Sequence, residues 1–293
     1  MVKRKFASEE EFNRFLVSEY LKYTSVDEVY RRNRYSLPIS YANYQRVLDK
    51  WGVIKAAGPN NKLTEAVEFF SHLAKDNILI DELYRKTPPS FQTSVKTLYR
   101  ILSYIKEGIT RRVGTALVIT PHNAPEKILL AKDVSAPNLI IGKTYGAYSL
   151  PMGYSRKRDS RQVNVSRIIQ NEVFTSQVVE RSISGEIIPK LLEPFMYLDI
   201  ADIRVSVYHL FLPKNLSKIS LFNSYKLKDY AFYDLSAVLN KDTKLPLRAG
   251  VVEIARGYKR HLHLLSRNLA INPLQGQSLL NRQLAEVTVE ISD

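Results

Sequence analysis

Two periodicities of apolar residues divide the sequence into two parts. In the first part, apolar residues recur at helical spacing within segments that are bounded by polar or turn-forming residues. Ser8 and Ser25 each precede such a segment, and Glu11 and Glu28 follow three positions later, the capping-box pattern of a helix N-terminus. This pattern predicts an all-helical domain over residues 1–111.

The second part consists of short runs rich in β-branched and aromatic residues, such as RVGTALVIT and EKILLAKDV, with turn-forming residues between them. One amphipathic segment between these runs has helical spacing, and we expect its helix to begin near Ser160. The pattern therefore predicts a mixed domain over residues 112–293. The fold class expected for the whole chain is α+β.

Two stretches of the helical part resemble helix-turn-helix and winged-helix modules, namely residues 26–54 and residues 78–112. Helix N-termini and basic or amide side chains are typical contacts to phosphates and base edges. An alternative is a helical hairpin whose basic face is simply solvated. If the first interpretation holds, the outward-facing residues predicted to contact nucleic acid are Arg46, Lys50, Gln92, Thr93, Lys96 and Arg100.

The stretch LPMGYSRKRDSRQVNVSRIIQNEVF, residues 150–174, resembles the Nudix box, G-x5-E-x7-R-E-U-x-E-E-x-G-U with U apolar. Gly153, Arg167 and Glu172 match the motif, and Asp159 replaces its first glutamate conservatively. The resemblance extends over about residues 112–265. It implies an α/β/α sandwich with the box on a strand, a loop and a helix.

The departures from the motif concern its metal ligands. In the Nudix family, three helix glutamates hold Mg²⁺ or Mn²⁺ beside a diphosphate. The corresponding positions here are Ile168, Asn171 and Glu172, so two carboxylates are missing. The resemblance therefore implies that hydrolysis is weak or lost. Glu172 and Asp159 are the remaining catalytic candidates, and Glu172 is the metal-ligand candidate if the protein is a hydrolase.

The loop and helix of the box are strongly basic instead. Arginine and lysine can neutralise a diphosphate without a metal ion. We therefore predict a pocket that binds a nucleotide or another phosphorylated small molecule, with no cofactor needed. The predicted phosphate-binding residues are Arg156, Lys157, Arg158, Arg161 and Arg167.

The charge of the whole chain supports a polyanionic partner such as DNA or RNA. The formal net charge is +14, from 43 basic and 29 acidic residues. Residues 1–115 carry 20 basic and 13 acidic residues and the remainder 23 and 16, so each part has an excess of +7. Because the excess is spread evenly, the composition does not indicate a dedicated basic tail.

The segment RGYKRHLHLLSR is a further basic cluster, in which Tyr258 could stack on a base. A solvated helix face is the simpler interpretation. His261 and His263 are two positions apart and would not share a helix face, so they make a poor metal pair. The polar residues of the cluster are Arg256, Lys259, Arg260, His261, His263 and Arg267.

The remaining composition narrows the class of protein. No apolar run approaches the roughly 18–20 residues of a membrane span, and the first residues lack the apolar core of a secretory signal. The chain has no cysteine, which excludes disulfides, thiolate nucleophiles and cysteine-bound zinc. We therefore expect a cytoplasmic protein with no membrane partner, and no feature of the sequence fixes its oligomeric state.

Three functions are compatible with these features. The favoured one is a nucleic-acid-associated regulator with a catalytically degenerate Nudix-like pocket. The alternatives are a Nudix-type hydrolase of nucleoside diphosphate-linked substrates with an altered metal site, and a non-catalytic scaffold subunit of a nucleoprotein assembly.

Overall fold

The computed structural model describes residues 6–56, 112–137, 142–182, 187–240, 245–267, 269 and 272–285. Within these ranges the helices are α1 (Glu9–Tyr23), α2 (Val26–Arg32), α3 (Tyr41–Lys50), α4 (Arg161–Glu172), α5 (Thr175–Val179), α6 (Leu235–Leu239), α7 (Val251–Ser266) and α8 (Leu279–Ala285). The strands are β1 (Arg112–Thr120), β2 (Lys127–Asp133), β3 (Tyr148–Ser149), β4 (Met152–Ser155), β5 (Met196–Ile200), β6 (Ile203–Phe211), β7 (Leu227–Asp234) and β8 (Leu274–Gln277). The predicted α+β class is confirmed.

Serine side chains define several helix starts. The hydroxyl of Ser8 accepts the Glu11 N–H at 3.1 Å, and that of Ser25 accepts the Glu28 N–H at 3.3 Å. Both predicted N-caps are therefore confirmed. Ser160 caps α4 in the same way, so the central helix begins where the sequence predicted.

The strands form two sheets. A five-stranded mixed sheet has the order β4-β1-β6-β5-β8, with β1 parallel to β6 and antiparallel to β4. A three-stranded sheet has the order β3-β2-β7 and is antiparallel. The central pair, β1 and β6, is hydrogen-bonded over the full length of both strands.

Helices lie on both faces of the five-stranded sheet, because successive side chains of a strand point to opposite faces. Leu117 and Ile119 of β1 pack in one apolar cluster with α4. Ala116 and Val118 pack in a second cluster with α7. Since β1 is buried on both faces, its near-continuous apolar sequence is explained.

The first three helices have their own apolar cluster, which includes the fully buried Leu16, Tyr44 and Leu48. Val178 of α5 belongs to the same cluster, so these helices pack against the mixed part of the chain. The domain boundary near residue 112 and the helix-turn-helix assignment stay predictions. The candidates Gln92, Thr93, Lys96 and Arg100 lie outside the described residues.

No helix in the described ranges is both long enough and apolar enough to cross a membrane.

The start of α7 depends on Gly250, whose φ is +90°. A Cβ on this residue would lie 2.5 Å from Ile200 Cδ1, whereas Gly146, at φ +77°, has nothing within 4 Å of a Cβ. We expect Gly250→Ala to lose about 1–2 kcal/mol from the left-handed backbone and a further ~1–3 kcal/mol from overpacking.

The matched control, Gly146→Ala, should lose only the backbone contribution. Denaturant unfolding of both variants measures the difference. Equal losses would show that the contact with Ile200 relaxes without cost.

Candidate ligand-binding site

The site is built where β4 crosses α4, and Gly153 makes this crossing possible. A Cβ at residue 153 would lie 3.0 Å from Ile168 Cδ1 and 3.8 Å from Glu172 Oε1. The matched glycine of the box is thus a position of close strand–helix approach in the interior of β4.

Glu172 is fixed by the backbone of the same strand. Its Oε2 accepts the Met152 N–H at 2.7 Å, and only 7% of the residue is exposed. Burial raises the pKa of this carboxyl, although the nearby positive charge of Lys226, the Met152 hydrogen bond and Arg248 act in the opposite direction. The Glu172 carboxyl group is therefore buried and hydrogen-bonded to the backbone of β4.

The other two metal-ligand positions of the box carry no carboxylate, and the Asn171 Oδ1 is buried without a hydrogen-bond partner among the described residues. Ile168 packs in the apolar cluster on α4, and the Asn171 amide donates to the Arg167 carbonyl at 2.7 Å. In the described part of the chain, no three His, Cys, Asp or Glu side chains are grouped to hold a metal ion. A hard divalent ion needs several oxygen ligands. The three box positions supply only one carboxyl and one amide oxygen, and with basic residues beside them they do not fit Mg²⁺ or Mn²⁺.

Asp159 and Arg167 form an ion pair, and both are turned into the protein. The Arg167 side chain is only 5% exposed. Its other nitrogens donate to Asn164 Oδ1 at 2.6 Å and to the Lys55 carbonyl at 2.8 Å. The seven-residue spacing between Asp159 and Arg167 thus serves to tie the loop before α4 to the helix and to the N-terminal segment.

The other predicted phosphate-binding residues are dispersed. Arg156 donates to the Ala56 carbonyl at 2.9 Å, and Arg161 pairs with Glu193. Lys157 and Arg158 are exposed in the loop that follows β4. The structure does not gather the five basic residues around one point, and their role in ligand binding stays a prediction.

A different group of charges lies buried beside Glu172. Asp133 is 3% exposed, and its Oδ2 lies 3.7 Å from Lys143 Nζ and 3.6 Å from Arg248 Nη1. Burial lowers the pKa of both Lys143 and Arg248, while the Asp133 charge opposes this shift. With Lys226, this charge cluster contains three cations and two carboxyl groups.

Arg248 joins the charge cluster to a small, open pocket with a cavity volume of about 40 Å³. The other lining residues are mostly apolar or small and come from the five-stranded sheet. They are Gly114, Thr115, Met152, Gly153, Tyr154, Ile200, Ile203 and Val205. The Arg248 Nε is buried and has no hydrogen-bond partner among the residues that the structure describes. The pocket therefore combines apolar walls with one incompletely paired guanidinium.

Sequence reasoning missed Asp133, Lys143, Lys226 and Arg248. They are isolated charges in the sequence, on separate loops and strand ends, and no motif joins them. Only the LPLRAG segment before α7 places a charge among turn residues next to a buried helix. That signal is too general to have identified Arg248.

Two other candidate sites can now be placed. Arg46 and Lys50 are exposed on α3, with Asn43 on the same helical face. Tyr258, in contrast, is fully buried on α7, and its hydroxyl donates to the Pro125 carbonyl at 3.0 Å. Stacking of Tyr258 on a base, as considered from the sequence, is therefore wrong.

Comparison with known proteins shows weak structural likeness only. No family model and no curated protein matches the sequence. A Nudix hydrolase from Nitrosomonas europaea is 12% identical, covering 57% of this chain and 78% of its own (TM-score 0.36). The MutT protein from Methanosarcina mazei is 14% identical, and the match covers 53% of this chain and 95% of the MutT chain (TM-score 0.36). A mutT/nudix family protein from Listeria innocua is 14% identical, and the match covers 54% of this chain and 98% of the Listeria chain (TM-score 0.37). These likenesses do not by themselves assign the fold.

The raised pKa of Glu172 predicts how stability depends on pH. A group whose pKa is higher in the folded state stabilises the protein fully at low pH, and this contribution is lost as pH rises through the folded-state pKa. Glu172→Gln keeps an acceptor for Met152 but cannot ionise. We expect its melting temperature to match the wild type near pH 4, where the carboxyl is largely protonated in the unfolded chain as well, and to exceed it increasingly towards pH 8.

Thermal unfolding across this pH range tests the expectation. Glu193→Gln removes an exposed carboxylate and should change stability little at either pH. A lower melting temperature for Glu172→Gln at pH 8 would mean that attraction to Lys226 and Arg248 outweighs burial.

Proposed function

We propose that the chain is a Nudix-like protein that binds a phosphorylated small ligand without hydrolysing it and associates with nucleic acid. One observation carries the first half of this proposal. The single carboxyl group left at the three ligand positions, Glu172, is buried, accepts a backbone N–H and lies among basic side chains.

The chemistry of diphosphate hydrolysis explains why this observation matters. A divalent ion activates water only when oxygen ligands hold it in place. Glu172 offers one carboxyl whose ionisation is disfavoured by burial. A bound diphosphate would therefore face cations but no activated nucleophile. We infer binding without turnover.

The pocket supports a ligand with an apolar part and an anionic part. Its walls from the sheet are mainly apolar, whereas Arg248 presents a guanidinium with a free Nε. A guanidinium binds phosphate oxygens with directional, charge-assisted hydrogen bonds. The loop with Lys157 and Arg158 follows directly after Gly153 and Tyr154 of the pocket wall, and could add further positive charge. A nucleotide has both required parts.

We expect no turnover of nucleoside diphosphate derivatives with Mg²⁺ or Mn²⁺, and measurable binding of ADP by calorimetry. Arg248→Gln should weaken that binding about tenfold or more, because it removes a charge-assisted hydrogen bond. Lys228→Gln, an exposed change on β7, is the matched control. Thermal unfolding checks that both variants remain folded.

Two results would favour the alternatives. Robust turnover that Glu172→Gln abolishes would establish a hydrolase with an altered metal site. Absence of binding across a panel of nucleotides and phosphorylated sugars would leave the scaffold interpretation.

The nucleic-acid part of the proposal is supported by α3. Asn43, Arg46 and Lys50 occupy one exposed face of this helix at spacings of three and four residues. Arg46 contacts Asn43 at 3.2 Å, so the two polar side chains lie side by side. The buried face of the helix, with Tyr44 and Leu48, fixes this orientation. A helix presented in this way can contact the phosphates or base edges of duplex DNA.

We expect the full chain to bind duplex DNA with an affinity that falls steeply as salt is raised. Arg46→Gln with Lys50→Gln should weaken binding roughly tenfold, as measured by fluorescence anisotropy. Arg14→Gln with Lys190→Gln removes the same charge elsewhere and should have a smaller effect. No binding by the wild type at low salt would contradict the association with nucleic acid.

A further inference from the structure

The exposed face of α7 and the residue that follows the helix carry four cations and one histidine. Residues 256, 259, 260, 263 and 267 follow the i, i+3, i+4, i+7, i+11 spacing of a single helix face. All of them are exposed. We define the basic stripe as Arg256, Lys259, Arg260, His263 and Arg267.

The stripe lies opposite the face by which α7 is anchored. Val251, Ile254 and Tyr258 are fully buried in the cluster on the five-stranded sheet. Because this face is held by the core, the cations are presented outward on a rigid helix. At 1.5 Å per residue, the stripe extends over about 17 Å.

The stripe is poor in compensating charge. Among the described residues, no carboxylate forms an ion pair with any of its members. The nearest acid of the helix on this side is Glu253, and its carboxylate accepts the Leu279 N–H at 2.7 Å. Helix stability does not account for the whole arrangement, because the macrodipole favours cations only in the last turn, whereas Arg256 is in the second.

We propose that the basic stripe binds the phosphate backbone of duplex DNA, a proposal that rests on the nucleic-acid association proposed above. A row of cations about 17 Å long can contact several phosphates, since the charges of one strand recur every 3.4 Å along the duplex axis. Such contacts position a protein on DNA without reading its sequence.

Other polyanions fit the stripe less well. A helix that lies on a membrane inserts its apolar face into the lipid, but the apolar face of α7 is buried in the core. Single strands are bound by stacking on aromatic side chains, and Tyr258 is buried. The stripe therefore offers charge alone, as duplex backbone binding requires.

The test is the salt dependence of duplex DNA binding by the full chain. Arg256→Gln with Arg260→Gln removes two cations, so the slope of log K against log salt should decrease by about 1.8. Binding should weaken by roughly ten- to a hundredfold at 0.1 M salt. The control pair Lys190→Gln with Lys228→Gln carries the same charge change at exposed sites off α7 and should leave the slope nearly unchanged.

The outcomes separate this inference from the association on which it rests. Duplex binding by the wild type that the stripe pair leaves intact, or weakens only as much as the control pair does, would overturn the stripe and spare the association. Failure of the wild type to bind would overturn both. Tighter binding to single-stranded RNA or to vesicles with anionic lipid than to duplex DNA, lost in the stripe pair, would also overturn the assignment to duplex DNA.

Discussion

The arrangement of the site depends on the ion pair and the hydrogen bonds made by the guanidinium of Arg167. It is buried on α4 and is shared by Asp159 before the helix, Asn164 within it and the Lys55 carbonyl. A buried arginine is stable only when its donors are satisfied. These partners therefore hold three parts of the chain together, namely the loop after β4, the central helix and the end of the N-terminal helical segment.

Neighbouring side chains extend this connection. Gln170 accepts the Ile54 N–H and donates to the Gly52 carbonyl, both at 2.9 Å. Residues 52–56 are thus bound along one side of α4 by side chains of the helix and its loop. Because Gly153 and Tyr154 of the pocket wall precede that loop directly, the proposed ligand pocket and the helices proposed to bind DNA are physically connected.

The sequence predicted the elements well and the site only in part. The serine caps and the start of α4 are local patterns, so a single stretch of sequence contains the signal. The pairing of Asp159 with Arg167 was not predicted, because the resemblance to the box suggested a catalytic role for Asp159 and phosphate binding for Arg167. The cluster around Arg248 could not be predicted, because its members come from distant positions and become neighbours only through the packing of the two sheets. Exposure is equally non-local, which is why Tyr258 was considered available for stacking.

The cations of the chain thus lie in two physically different environments. Cations such as Arg248 and Lys143 are largely desolvated, and burial disfavours their charged forms, so a carboxylate or a bound anion is needed to stabilise them. The cations of α7 remain hydrated, so the absence of an ion pair costs them little free energy. A buried, partly paired guanidinium selects a small anion that fits a pocket. An exposed row of cations favours a long polyanion of high charge density, because the release of counterions drives its binding. The two anionic partners proposed above, a small ligand in the pocket and duplex DNA along α7, would therefore each use one of these environments.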